Sequence, residues 1–185
     1  MHKAAMKNPN ADVTRALLDK GADIEARDGS QSTPLHLAAE CNQCNQNADV
    51  IRVLLDRGAD LEARTLSQYT PLHYAAFKNP NADVIRVFLD KGADLEARDW
   101  SQWTPLHWAA ECNQGMVRIL LERGANVNVL DVGQWTPLYH AAHFKNRESL
   151  IELCKAGAKP QLGVKHADDV DDDFKKVIRE NCLSL

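Results

Sequence analysis

Apolar residues recur at helical spacing in several stretches of the chain, and one stretch shows the pattern clearly. Its apolar positions form one wide face and are Val84, Ile85, Val87, Phe88 and Leu89. This spacing predicts an amphipathic helix that buries one side. Asn81 or Asp83 can cap its start, since both side chains accept hydrogen bonds from free backbone N–H groups. Lys91-Gly92 predicts its end, because glycine readily takes the left-handed conformation there.

A shorter helix is predicted before each of these stretches. One example runs from Pro71 to about Lys78. The threonine before this proline is a suitable cap, and proline fits the first helical position because it has no N–H to leave unpaired. The stretches 13–21 and 50–58 repeat the longer apolar pattern. The polar and apolar positions therefore predict a series of helix pairs.

These helix pairs recur at a nearly constant interval. The motif T-P-L-H-x-A-A, or its variant T-P-L-Y-H-A-A, begins at Thr33, Thr70, Thr104 and Thr136. Successive copies lie 37, 34 and 32 residues apart. A second marker, G-A-D or a relative of it, begins at Gly21, Gly58, Gly92, Gly124 and Gly157. Such an interval predicts a repeat architecture, and M-H-K-A-A at the start matches only the end of the first motif.

This motif at this interval resembles the ankyrin-repeat family, whose signature is T-P-L-H-x-A at a period of about 33 residues. The resemblance covers residues 1 to about 160. It implies an all-α ankyrin-repeat solenoid in which each repeat has a β-turn finger, two antiparallel helices and a loop. About five repeats are expected, the first of them incomplete: roughly 1–27, 28–64, 65–98, 99–130 and 131–160.

One position departs from the family pattern. The family usually has glycine in the finger turn, two residues before the threonine. This chain has Gln31, Gln68, Gln102 and Gln134 there. Either each glutamine keeps a positive φ at a cost of about 1 kcal/mol, or the fingers use a different turn.

The last 25 residues, 161–185, break the repeat pattern. Four apolar residues in this segment share one helical face: Val170, Phe174, Val177 and Ile178. The acidic run 168–173 lies at the start of this helix, where negative charge is favourable. We expect a C-terminal capping helix that covers the last repeat, as solenoids require.

Composition excludes several classes of protein. The net charge is −4, with 22 basic and 26 acidic residues, which disfavours a nucleic-acid binder. No apolar run approaches the roughly 20 residues that span a bilayer, and the start lacks the apolar region of a signal peptide. Five cysteines are too few for a disulfide scaffold and favour a reducing compartment. We therefore expect an intracellular, most simply cytoplasmic, monomer.

No residue set predicts catalysis, a cofactor or a metal. The recurring His36, His73 and His107 hold one fixed place per repeat, which favours hydrogen bonds to backbone over metal binding. His140 and His143 lie three apart and would bind a metal only weakly. Cys41 and Cys44 form one C-x-x-C, which is weak evidence for zinc without a second pair. The chain also lacks the common nucleophile and phosphate-binding motifs, so we expect no enzyme.

The last four residues, C-L-S-L, leave a lipid anchor open. Cys182 stands where a prenyl group would be attached. Against this, Ser184 is not aliphatic, and the few upstream basic residues are diluted by aspartates. A single lipid chain anchors poorly without a second signal. We therefore expect no membrane association unless Cys182 is prenylated.

Aromatic residues carry most of the functional information. The resemblance places the finger and the outer side of the first helix along a concave groove, the usual partner surface. Eight of the eleven aromatic residues fall at such positions. With three neighbouring residues they form the predicted binding set: Leu66, Tyr69, Tyr74, Phe77, Trp100, Trp103, Trp108, Val132, Trp135, His140 and Phe144. Clustered exposed aromatics usually mark an interaction site, although these rings can also bury one another.

These observations favour a non-catalytic module that binds a protein partner through an aromatic-rich groove of repeats three to five. Two alternatives remain open. The array can be the targeting part of a larger effector or enzyme, in which case a secreted effector would act in a host cytosol. It can also be a lipid-tethered adaptor that uses C-L-S-L.

Overall fold

The computed structural model of the protein describes residues 10–40, 47–112, 114–160 and 172–182. These residues contain ten helices and no strand. The chain forms two compact units, Met1–Asp94 and Leu95–Leu185. The helical content confirms the all-α class that the repeat pattern predicts.

The first unit consists of helix pairs joined by turns. Its described helices are α1 (Ala11–Asp19), α2 (Pro34–Glu40), α3 (Asn47–Asp56), α4 (Pro71–Lys78) and α5 (Ala82–Asp90). The short T-P-L helices α2 and α4 pack against each other, and the longer helices α1, α3 and α5 form a second row. Each T-P-L helix also packs against the helix that follows it. Two rows of helices therefore build this unit.

The second unit has the same arrangement. Its described helices are α6 (Pro105–Cys112), α7 (Gln114–Glu122), α8 (Pro137–His143), α9 (Arg147–Lys155) and α10 (Asp172–Cys182). The T-P-L helices α6 and α8 pack together, and α9 packs against α7. The C-terminal helix α10 contacts α9.

The motif itself supplies the core between the two rows. Its leucines Leu35, Leu72, Leu106 and Leu138 are all buried. The two alanines that end each motif are buried as well, and their small side chains let neighbouring helices approach closely. The motif therefore recurs because each repeat must bury the same face against its neighbours.

The helix ends follow the local sequence signals. Asn81 is the residue that caps α5, where its side chain accepts a hydrogen bond from the Asp83 backbone N–H at 3.0 Å. Gly92 follows the same helix with a φ of 86°. The loop that contains Cys41 and Cys44 lies outside the described residues, as does Val170 in the C-terminal segment.

All four finger glutamines have a positive φ, between 61° and 64°. The finger that contains Gln102 shows why. Its N–H donates to the Asp99 carbonyl at 3.0 Å, and the Asp99 N–H donates to the Trp103 carbonyl at 3.1 Å. This is a type of hairpin turn in which the residue after the turn must be left-handed. The family turn is thus kept, and the first of the two possibilities for the glutamines is correct.

Arginine side chains hold these turns in place. Arg98 Nη1 donates to the Gln102 carbonyl at 3.3 Å and to the Leu130 carbonyl of the next repeat at 2.9 Å. Arg27 makes the corresponding pair of bonds in the first unit, to Gln31 and Arg64 at 2.9 Å each. These guanidinium groups therefore link one finger to the next within each unit.

Candidate functional site

Each finger of repeats three to five presents one apolar residue to solvent at its tip. These residues are Leu66, Trp100 and Val132, with exposed fractions of 59%, 74% and 72%. Across the described ranges, the exposed large hydrophobic residues are these three and Phe144, at 44%. In repeat two, Gly29 takes the same place and offers no side chain. Exposed apolar side chains are thus concentrated where a partner was predicted to bind.

The backbone of the tips is fixed by bonds between neighbouring fingers. In the second unit, the Val132 N–H donates to the Ser101 carbonyl at 3.1 Å. In the first unit, the Leu66 N–H donates to the Ser30 carbonyl at 3.0 Å. Exposed apolar side chains therefore stand on a rigid, hydrogen-bonded base rather than on free loops.

Beneath the tips of the second unit lies a group of packed rings, which we call the ring cluster: Trp103, Trp108, Trp135, Tyr139, His140, His143 and Phe144. The Trp103 ring centroid lies 4.6 Å from that of Trp108 and 4.2 Å from that of His140. The Trp135 centroid lies 4.4 Å from that of Tyr139 and 5.3 Å from that of His140. Each of the three tryptophans in the cluster keeps part of its surface exposed.

Two buried aspartates hold the cluster. Asp99 Oδ1 accepts the Trp103 backbone N–H at 2.9 Å, and Asp99 Oδ2 accepts the Trp108 indole N–H at 3.0 Å. Burial raises the pKa of the Asp99 carboxyl, while these hydrogen bonds act in the opposite direction. Asp131 repeats the arrangement one finger later, since its Oδ1 accepts the Trp135 N–H at 2.8 Å.

His140 lies at the centre of the cluster and is 1% exposed. Its Nε2 lies 3.0 Å from Asp131 Oδ2. Burial lowers the pKa of His140, so the neutral ring donates its Nε2–H to the carboxylate. Such a buried ring supports Trp103 and does not face a partner. The structure therefore gives His140, one of the predicted contact residues, a supporting position inside the ring cluster.

The predicted residues of the first unit form a smaller group. The Tyr69 and Tyr74 ring centroids lie 5.9 Å apart, edge to face. The Tyr74 hydroxyl lies 3.5 Å from Ser32 Oγ, and Lys78 Nζ lies 5.6 Å from the centre of the Phe77 ring. All three aromatic residues are half-buried. These three residues stand in the same relation to the tip residue Leu66 as the rings of the second unit do to the tip residue Trp100.

The motif histidines bind backbone, as the sequence predicts. His36 Nδ1 accepts the Thr33 N–H at 3.2 Å, and Nε2 lies 3.1 Å from the Tyr69 carbonyl of the next finger. His107 likewise places Nε2 3.3 Å from the Trp135 carbonyl. Burial lowers the pKa of His36 to about 4 and that of His107 to about 3. Both rings are therefore neutral structural links between repeats.

Other candidate chemistry finds little support in the geometry. In the parts of the chain that the structure describes, no three His, Cys, Asp or Glu side chains are grouped as a metal site requires. Burial raises the pKa of the Cys112 thiol to about 11, which makes it a poor nucleophile. No helix in the described ranges is both long enough and apolar enough to span a bilayer.

Cys182, the predicted lipidation residue, is bonded to Cys154 in a disulfide. A sulfur in a disulfide has no thiol to accept a prenyl group. The residues that follow Cys182 lie outside the described part of the chain, as do most of the acidic run and the pair Cys41 and Cys44. No signal in the sequence predicts the Cys154–Cys182 pairing, because spacing alone does not define connectivity.

A family model of ankyrin repeats matches the chain in three copies, over residues 1–99, 44–131 and 101–163. The three copies together span most of the chain. No curated protein matches it.

Proposed function

The chain belongs to the ankyrin-repeat family, and we propose that it is a non-catalytic module that binds a protein partner through the aromatic face of repeats three to five. Ankyrin repeats are in general protein–protein interaction modules, so the family supports the class of function. The residues that make the contact and the nature of the partner are our proposal.

The observation that carries the proposal is the exposure of Trp100 and Val132 at neighbouring finger tips. Trp100 leaves 74% of its surface exposed on a hydrogen-bonded turn, so burial in the core does not account for a tryptophan at this position. Tryptophan is also the residue type most enriched at energetic centres of interfaces, since it buries a large rigid area. In the second unit we therefore place the contact at Trp100 and Val132, with Trp103, Trp108, Trp135 and Phe144 behind them.

The ring cluster favours binding without large rearrangement. The Trp108 indole is fixed by Asp99, and Trp103 packs against the buried His140. Side chains that are already ordered lose little conformational entropy when a partner binds. The exposed parts of these rings thus form a preorganised surface next to the tip residues.

In the first unit, the same reasoning applies to Leu66, Tyr69, Tyr74 and Phe77. Leu66 is the exposed tip residue, and the two tyrosines pack edge to face beside it. We propose that these residues form the contact surface of the first unit. We also propose that the protein acts as a cytoplasmic monomer, as composition suggests.

The test uses Trp100→Ala, because this side chain is the most exposed of the set and its loss leaves the ring cluster in place. Tagged wild-type and variant chains are used for quantitative affinity capture from a lysate, and a captured candidate is then purified and titrated. We expect the variant to weaken that complex by about 2 kcal/mol or more, the size of an interface hot spot.

The matched control is Arg118→Ala, which removes a long side chain of comparable exposure from α7, away from the fingers. It should bind the partner like the wild type. If Trp100→Ala and Val132→Ser both retain wild-type affinity for every protein that the wild type captures, the finger-tip surface is not the binding site.

A further inference from the structure

A disulfide joins α10 to α9 in the second unit. Cys154 lies near the end of α9, Cys182 is the last residue of α10, and their Cα atoms are 4.7 Å apart. The bond closes a loop across a sequence separation of 28 residues. It therefore ties the C-terminal helix to the last helix of the repeat array.

The two sulfurs differ in their access to solvent. Cys154 is 1% exposed, and Leu150 and Leu153 of the same helix are buried as well. Cys182 is half-buried at the end of its helix. A thiolate that approaches from solvent consequently has readier access to Cys182 than to Cys154.

Few of the described side chains of α10 are buried. Between residues 175 and 182, Val177 is the one buried side chain, and Lys176, Arg179 and Glu180 are exposed. A helix of 11 residues is marginal in water unless tertiary contacts stabilise it. The disulfide thus adds a covalent link to the packing contacts between α10 and α9.

We propose that Cys154 and Cys182 form an exchangeable disulfide that small thiols of the glutathione class reduce, and that its reduction releases α10 from α9. This inference goes beyond the proposed partner binding and does not depend on it. The disulfide is then a redox latch, and Cys182 is the residue that is modified first.

The exchange proceeds in two balanced steps. A glutathione thiolate attacks the Cys182 sulfur, a mixed disulfide forms there, and Cys154 leaves as a thiolate that takes up a proton. A second glutathione thiolate attacks the glutathione sulfur of the mixed disulfide and releases the Cys182 thiolate, which is protonated in turn. The protein disulfide is reduced to two thiols, and two glutathione molecules are oxidised to glutathione disulfide.

The experiment is amide hydrogen exchange on the full chain, equilibrated with excess glutathione disulfide or with excess reduced glutathione. Alkylation followed by peptide mass spectrometry reports which cysteines are free in each sample. We expect Cys154 and Cys182 to be protected only in the oxidised sample. Reduction should speed exchange in α10 at least about tenfold, while α8 keeps its protection.

Two variants make the test specific. Cys182→Ser removes the half-buried partner with little change in packing, and its α10 should exchange like that of the reduced wild type under both conditions. Cys112→Ser, which removes a cysteine outside the pair, should respond like the wild type. The latch is refuted if α10 stays equally protected in the oxidised, reduced and Cys182→Ser proteins. It is also refuted if α8 loses protection together with α10, or if both cysteines are alkylated in the oxidised folded sample.

Discussion

Lowering the pH should destabilise the first unit through one histidine, His36. Its ring is completely buried, with Nδ1 accepting the Thr33 N–H and Nε2 donating to the Tyr69 carbonyl. A second proton would have to sit on Nδ1, which would then need a hydrogen-bond acceptor where it now faces the Thr33 N–H donor. Burial, together with the charge of Arg27, accordingly lowers the pKa of His36 from 6.5 to about 4.

The sign and size of the change in stability follow from the difference between the pKa of His36 in the folded and in the unfolded chain. Above pH 6.5 the ring is neutral in the folded and the unfolded chain, so it adds no pH dependence. Below that value His36 is protonated in the unfolded chain but remains neutral in the folded chain. The free energy of unfolding therefore falls until about pH 4. The full shift is worth about 3 kcal/mol, of which about 2 kcal/mol is already lost at pH 5.

The assay is equilibrium urea unfolding at about pH 7.5 and about pH 5, followed by circular dichroism, for the wild type and for His36→Asn. Asparagine can accept the Thr33 N–H but cannot titrate. We expect the variant to be less stable at the higher pH by about 1–3 kcal/mol, because it loses a buried hydrogen bond. Its loss of stability between the two pH values should be about 2 kcal/mol smaller than that of the wild type.

The comparison between the two proteins isolates His36, because all other titrating groups contribute equally to both. If the stability of His36→Asn has the same pH dependence as that of the wild type, the pKa of His36 is not lowered in the folded state. The assignment of the motif histidines as neutral links between repeats would then be wrong.

Two further predictions concern the fingers. Gln134→Gly should raise the free energy of unfolding by about 1 kcal/mol in thermal melts, since glycine takes a positive φ without the steric cost that glutamine bears there; an unchanged or lower melting temperature would contradict this. Trp103→Ala should weaken partner binding and also cost about 3 kcal/mol of stability by urea unfolding, because its ring packs on Trp108 and His140; wild-type stability would show that the ring cluster contributes nothing to folding.

Much of the repeat structure could be predicted because its signals are local. Thr before Pro, asparagine before an apolar run and glycine after it each act within one helical turn, and the structure places α4 and α5 at the predicted bounds. The role of the motif histidines was equally accessible, since a residue at one fixed place per repeat meets the same neighbours each time. Hydrophobic periodicity and capping chemistry are properties of short segments.

The site was only partly predictable. Its residues could be named from their place in the repeat. Which of them are exposed tips and which are supporting rings could not be predicted. His140 and Trp100 look equally suited to contact a partner in the sequence, yet one is buried against Asp131 and the other is mostly exposed. Exposure depends on which rings meet across neighbouring repeats, and that distance is set by the packing of α6 against α8.

The arginines near the fingers illustrate the same limit. An arginine beside a finger can pair with a partner or with nearby acidic residues, and the local sequence around Arg27, Arg64 and Arg98 does not decide between the two. Arg27 does approach Glu25, at 3.8 Å, but the shorter bonds of all three go to finger carbonyls. A guanidinium group with several donors satisfies two backbone acceptors at once, and those acceptors come together only when the repeats stack.

The sequence by itself determined the repeat and the helix pairs, because each depends on residues within one turn or one repeat of each other. Tertiary structure alone decided three other features: the burial of His140, the exposure of Trp100, and the pairing of Cys154 with Cys182. Each of these requires groups from separate helices or fingers to meet. Contacts of that kind are fixed by the packing of whole elements, which no short stretch of sequence encodes.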